Sequence, residues 1–394
     1  YGQGQAGAAA ALGLLAAAGE EEGSALPRLP SCIYDEVIAP FLRFDRPLPN
    51  QLYAIGGRNR QQNPLDTVEM FDSWHGRWAK CPSMHTRRAG CAATVLQDGR
   101  LYVVGGYDER GIVLGLLDTC EIYDPAREVW SECHSTLRRA RWGHGCATVG
   151  DVVFVVGGCS LRPGAPVSEA SMETLSSCEV WHGARGEWAP CASLHVARAG
   201  ARVVAPSNRY IAAVGGCDDV FGRAELLPTV ELFDISAGHW SLLPLELSTP
   251  RTTAAVAALD DRKILIVGGA PSLSTGEVYH LPNPAEPHLE LAEAVDQRTG
   301  VASMPEGRMG CQAAVMDLPA PGDEYPACTR RCVVVVGGEN GDEDWAGDIR
   351  QFSSVLVYDR EEGMWRPETY FPCIPTPRTA MALIVASGTV RRPP

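Results

Sequence analysis

The sequence predicts an all-β fold, a six-bladed β-propeller, on three observations. First, a short apolar run stopped by a glycine pair occurs six times. The copies are Tyr53-Ala54-Ile55-Gly56-Gly57, Leu101-Tyr102-Val103-Val104-Gly105-Gly106, Val153-Phe154-Val155-Val156-Gly157-Gly158, Ile211-Ala212-Ala213-Val214-Gly215-Gly216, Ile264-Leu265-Ile266-Val267-Gly268-Gly269 and Val333-Val334-Val335-Val336-Gly337-Gly338. Such a run reads as a buried strand, and the glycines permit a sharp exit beneath a close neighbouring backbone. A spacing of about fifty residues is the period of a propeller, not of a solenoid. Second, an acidic-apolar-aromatic strand follows each pair, as in Glu69-Met70-Phe71-Asp72, Glu121-Ile122-Tyr123-Asp124, Glu179-Val180-Trp181, Glu231-Leu232-Phe233-Asp234 and Glu277-Val278-Tyr279, with Val357-Tyr358-Asp359 as the sixth copy. Third, a tryptophan stands seven residues beyond the aromatic in five copies: Trp78, Trp130, Trp188, Trp240 and Trp365.

These signals place the strands of each blade in the order a, b, c, d, with b ending in Gly-Gly. The segments between the aromatic and the tryptophan carry tight-turn chemistry. Aromatic and tryptophan therefore sit on neighbouring strands of one hairpin and can pack together between blades. The fifth blade has Glu286-Pro287-His288 where a tryptophan belongs and is expected to be the least regular. Strand a opens near Arg88, Arg141, Arg198, Arg251 and Arg308, but no such strand precedes Tyr53. An orphan copy, Arg378 to Val385, stands at the other end of the chain. It is expected to become strand a of the first blade, closing the ring and removing exposed edges.

Composition bounds the rest. The 394-residue chain can bury a large core, and a propeller is one closed unit despite that length. No stretch reaches the roughly 18 uninterrupted apolar residues of a membrane span. The alanine-rich stretch from Ala6 to Ala18 lacks a basic start and makes a poor signal peptide. The formal charge of −14 argues against nucleic-acid binding through phosphate neutralisation and fits a soluble, monomeric protein. Of the cysteines, Cys81, Cys133 and Cys191 each follow a tryptophan by three residues, and Cys91, Cys146 and Cys311 fall in equivalent strands. They read as small buried hydrophobes with reduced thiols, in the cytoplasm. Cys328 and Cys332 have no histidine nearby, a weak metal signal. Residues 1–31 read as a low-complexity linker, 32–49 as an apolar lead-in packing on the first blade, 50–386 as the propeller and 387–394 as a tail. The chain begins at Tyr1 instead of Met, so an upstream domain is expected to be missing from it.

The combination of apolar run, Gly-Gly, Glu-x-aromatic-Asp and distant tryptophan resembles the kelch repeat over about residues 50–386. It is most similar to the propellers of kelch-like adaptors of cullin-type ubiquitin ligases, which carry BTB and BACK domains upstream. The resemblance implies a substrate receptor or scaffold, with ligase components reached through that upstream region. An actin-associated scaffold is the alternative within binding, and a propeller enzyme acting on a small molecule such as a sugar is the alternative outside it. No membrane partner and no cofactor are expected.

Up-and-down strands bring the b–c and d–a loops to one face. The long variable segments, 58–65, 107–117, 159–176, 217–228, 339–352 and a d–a stretch at 282–307, fall there, so this is the expected binding surface. Arg87, Arg88, Arg138, Arg139, Arg141, Arg198, Arg251, Arg308 and Arg378 gather at the same end of strand a. They read either as a basic ring for an acidic peptide or, more simply, as groups serving their own blades through a strand-c glutamate or loop carbonyls. Arginines near this position hold acidic peptides in the resembled adaptors, so Arg88, Arg139, Arg141, Arg198, Arg251, Arg308 and Arg378 are the candidates. Phe221 and Trp345 are candidate aromatic anchors. The acidic loop Glu339, Asp342, Glu343, Asp344 and Asp348 reads as a solvated loop in preference to a Ca²⁺ site. His85 and His195 share a repeat position, which points to blade structure, and no catalytic motif is present.

Overall fold

The computed structural model describes residues 50–73, 76–183, 185–221, 225–282, 299–319, 329–341 and 349–387. Residues 1–49 and 388–394, and with them the expected linker, lead-in and tail, lie outside the described residues. Six four-stranded antiparallel sheets form the blades. Their innermost strands are Ala382–Ser387, Ala92–Val95, Gly145–Val149, Arg202–Val204, Ala255–Ala258 and Gln312–Pro319, and each touches the next around the ring.

Closure is by the C-terminal strand. Ala382–Ser387 pairs antiparallel with Asn50–Ile55, from Asn50 opposite Ser387 to Ile55 opposite Ala382. Strand b of every blade is buried on both sides, which is why its sequence is an unbroken apolar run instead of an alternating one. The core is accordingly divided into six wedges, one between each pair of neighbouring blades. The closing wedge sets Leu52 and Phe71 of the first blade against Val334 and Val357 of the sixth.

The tryptophans join blades as their spacing requires. Phe71 lies opposite Trp78, Tyr123 opposite Trp130, Trp181 opposite Trp188, Phe233 opposite Trp240 and Tyr358 opposite Trp365. The Tyr123 and Trp130 rings sit 5.0 Å apart. Trp130 Nε1 donates to Pro82 O at 2.8 Å and Trp240 Nε1 to Ala192 O at 3.0 Å, each acceptor following strand d of the preceding blade. Trp188 is buried but its Nε1 finds no acceptor. Trp130→Phe should therefore cost about 1–3 kcal/mol, because Pro82 O loses its donor. Trp188→Phe should cost well under that, and equal urea midpoints for the two variants would contradict the inter-blade hydrogen bond.

The fifth blade departs from the pattern. Its strand c, Gly276–His280, is followed by strand d only at Thr299–Val301. The stretch 282–307 is thus not a d–a loop, as the sequence reading has it. Strand d lies inside it, so most of that stretch connects c to d instead. Residues 286–288 lie outside the described residues. Tyr279 OH donates to Leu245 O at 2.6 Å, giving this blade the hold on its predecessor that a tryptophan gives elsewhere. The 319–330 insertion lengthens a hairpin: strands Gln312–Pro319 and Thr329–Val336 pair from Gln312 opposite Val336 to Pro319 opposite Thr329. A small hairpin, Cys159–Leu161 with Met172–Thr174, also stands in the b–c loop of the third blade, unforeseen from sequence.

Candidate interaction face

The repeated arginines lie where each blade meets the one before it. Arg198 is 0% exposed. Its Nη1 donates to Gly215 O at 3.0 Å and Thr229 O at 3.1 Å, and its Nη2 meets Glu231 Oε1 at 2.6 Å. Its own carbonyl accepts the N–H of Gly158, the second glycine of the preceding blade, at 2.9 Å. One residue thus holds two blades, by side chain within its own and by backbone to its neighbour. A Cβ on Gly157 would come within 2.4 Å of that carbonyl, on a backbone with φ of +64°, which explains the first glycine of the pair.

The same arrangement recurs at Arg88, Arg141, Arg251, Arg308 and Arg378, all exposed by 2% or less. Their Nη1 groups reach Gly105 O, Gly157 O, Gly268 O, Gly337 O and Gly56 O. The strand-c glutamates Glu69, Glu121, Glu179, Glu231 and Glu277 are the anionic partners, and all are buried. In the sixth blade, where Leu356 occupies that position, Glu306 substitutes at 2.8 Å from Arg308 Nη2. The glutamates also accept backbone N–H groups of the arriving d–a segment, such as His195 N to Glu231 Oε2 at 2.8 Å. Burial alone would raise the Glu231 pKa. The N–H groups of His195 and Val196 and the Arg198 charge outweigh it and hold the carboxyl below its ordinary value. The His85 and His195 rings contact these same glutamates at 3.2 and 3.0 Å.

Two residues beyond each arginine, the backbones form a closed collar about the axis. Gly90 N donates to Ala380 O, Gly143 N to Gly90 O, Gly200 N to Gly143 O, Thr253 N to Gly200 O, Gly310 N to Thr253 O and Ala380 N to Gly310 O, at 2.8–3.1 Å. All six residues hold φ between +51° and +66°. Next to the collar, His144 is buried, and burial, together with the nearby Arg141 charge, pushes its pKa down to about 3. The unfolded chain, with its histidine pKa near 6.5, takes up the proton first, so stability is lost as pH falls from 6.5 toward 3. Replacing His144 by Met, the residue that Met381 provides in the first blade, should abolish about 2 kcal/mol of the loss between pH 6.5 and 5. Parallel urea midpoints for the two proteins across that range would contradict it.

Outside the collar, the b–c loops share a small apolar cluster. Cys159, Met172, Ala199 and Cys217 are its buried members, with Phe221 and Trp142 packed against them. Leu114 and Val167 project from loops of the second and third blades at 67% and 59% exposure. Arg139 is half-buried and donates to Leu161 O at 2.7 Å and Glu173 at 2.8 Å. Arg87 faces Asp66 at 3.7 Å, and Arg58 pairs with Glu339 at 2.9 Å. Arg60, Arg138 and Arg162 are exposed and, among the described residues, have no carboxylate within 4.0 Å.

Comparison with known proteins agrees with this architecture. The model of the KLHDC2/KLHL20/DRC7 Kelch-repeats domain matches residues 47–269. The chain belongs to the kelch-repeat family. It is similar to Kelch-like protein 26 of Danio rerio, 28% identical over 56% of this chain and 34% of the relative. It is similar to Kelch-like protein 25 of Xenopus tropicalis, 26% identical over 87% of this chain and 51% of that protein. Alpha-scruin of Limulus polyphemus is 30% identical over 31% of this chain and 14% of its own length. The chain therefore spans about a third and about half of these two kelch-like relatives.

Within this kelch propeller, the residues named from sequence divide cleanly. Arg88, Arg141, Arg198, Arg251, Arg308 and Arg378 are sealed within their own blades, with no guanidinium face open to a peptide, because each is surrounded by carbonyls and a carboxylate. Arg139 and Phe221 are on the loop face, both partly engaged by loop neighbours. Trp345 and the acidic residues Asp342, Glu343, Asp344 and Asp348 lie outside the described residues. Arg60 and Arg162 were missed by the sequence reading, which weighted repeated positions, whereas these belong to variable loops. Among the described residues no group of His, Cys, Asp and Glu is arranged to hold a metal.

Proposed function

We propose that this kelch propeller is a non-catalytic protein-interaction module whose b–c and d–a face takes an acidic segment of a partner protein. The observation that carries the reading is the set of exposed cations Arg60, Arg138 and Arg162, with no carboxylate within 4.0 Å among the described residues, on the loop face that also exposes Leu114 and Val167, on a chain of net charge −14. Exposed cations on an acidic body favour acidic peptides over the protein's own surface. Similarity to kelch-like proteins supports a substrate receptor or scaffold of the ubiquitin-ligase adaptor type, joined to ligase components through sequence outside this chain. The cytoplasm is part of this reading, supported by the described cysteines being free thiols, several of them buried.

The test is titration of a library-selected acidic peptide by calorimetry. Affinity should fall as salt is raised from about 0.05 to 0.5 M, since exposed charges are screened. The double variant Arg138→Glu, Arg162→Glu should lose at least about tenfold in affinity, roughly 1.4 kcal/mol, with an unchanged melting temperature. Unchanged peptide affinity in that variant would overturn the reading, and co-sedimentation with filamentous actin would move it to the actin-associated alternative.

A further inference from the structure

The central channel carries a feature that blade construction does not require. A cavity of about 430 Å³ runs along the innermost strands from Cys91 to the a–b turn end at Val385. That volume is in the range of small-ligand pockets. Arg202 enters it four residues after Arg198, at the position held by Ala92, Gly145, Ala255, Gln312 and Ala382 in the other blades. A side chain needed to hold blades together would recur from blade to blade. This one does not.

Its guanidinium spans the collar end of the channel. Nε donates to Ala254 O at 2.7 Å in the fifth blade, and Nη2 donates to Cys311 O at 3.0 Å in the sixth. Two of its five N–H donors are thereby spent. Among the described residues no carboxylate lies within 4.0 Å of it, unlike the six repeated arginines. Gln312 fills the corresponding place in the sixth blade and donates to Met381 O at 2.9 Å, leaving the cation without an anionic neighbour there also. The lining also includes the apolar residues Val256, Val315, Leu383 and Val385, alongside Thr94 and Thr148.

We infer that the channel binds a small monocarboxylate, its carboxylate on Arg202 and its short alkyl tail against Val256, Val315 and Leu383. A planar guanidinium with spare donors matches a carboxylate. One cation balances one negative charge, and a dianion such as phosphate would leave a charge unmatched. Burial draws the Arg202 pKa below its ordinary value, as expected for a cation lacking a counter-charge.

The experiment is a calorimetric titration of the full chain with butyrate, and with butylammonium as the like-sized cation. Butyrate should bind saturably at one site, butylammonium should not, and Arg202→Met should weaken butyrate at least tenfold. Absence of saturable binding, or equal affinity in Arg202→Met, would overturn the proposal. Crystals of the unaltered chain soaked in 3-bromopropionate give a second readout that does not depend on that variant folding. An anomalous bromine peak between the strands lining the channel supports the site, and its absence there refutes it.

Discussion

Arg198→Met is expected to lower the unfolding free energy by about 3–5 kcal/mol, the cost of stranding one partner of a buried ion pair. The variant keeps side-chain volume but leaves Glu231 at 0% exposure, with its backbone donors and no cation. It also strips donors from Gly215 O and Thr229 O. Lysine should rescue little, because a point ammonium cannot serve two carbonyls and a carboxylate in the fork geometry. The pH dependence separates this mechanism from a simple cavity. In the unaltered protein the Glu231 pKa is lowered, so its contribution is complete above the ordinary glutamate range and is lost as pH falls through it. Without Arg198 a buried carboxylate prefers its neutral form, so the deficit should shrink as pH falls. A deficit constant with pH would show that only packing was lost. Arg138→Met, on the exposed face, should change stability by no more than about 0.5 kcal/mol.

Removing residues 376–394 is expected to abolish cooperative unfolding altogether. The deletion takes the strand Ala382–Ser387, Arg378 with its bonds to Gly56 O and Thr67 O, and the collar residue Ala380. It also bares one edge of Asn50–Ile55 and one wall of the wedge around Leu52 and Val334. An unpaired apolar edge invites association between chains, so the truncated protein should aggregate. A monomer that melts like the full chain would show that the ring closes some other way.

Where a feature depends on backbone periodicity, it was legible in the sequence. The run before Gly-Gly marks a strand buried on both faces, and the separation of Tyr123 from Trp130 is the length of one tight hairpin, so pairing and register follow. The orphan repeat from Arg378 to Val385 located the closing strand because the first blade lacked one. Side-chain direction was less accessible. Spacing shows that Arg88 and Arg198 stand at the loop end of strand a, but not that each guanidinium folds inward among carbonyls that its own blade brings together only once its strands have paired. Strand d of the fifth blade escaped because Thr299–Val301 has neither tryptophan nor tight turn before it. The collar had a trace in the sequence, with Gly90, Gly143, Gly200 and Gly310 two residues beyond an arginine. Its closure depends on all six blades. Arg202 had no trace, since a residue present in one blade gives no periodic signal.

Native-state hydrogen exchange at the second glycine of each pair tests most directly the central claim that six equivalent joints make one closed unit. The amides of Gly57, Gly106, Gly158, Gly216, Gly269 and Gly338 each donate to the carbonyl of the next arginine around the ring, at 2.8–3.0 Å. All six should exchange only through global unfolding, with a common opening free energy that falls together in Arg198→Met. If Gly57 or Gly338, which flank the closing blade, exchanged through a separate and cheaper opening, the ring would not be the cooperative unit described.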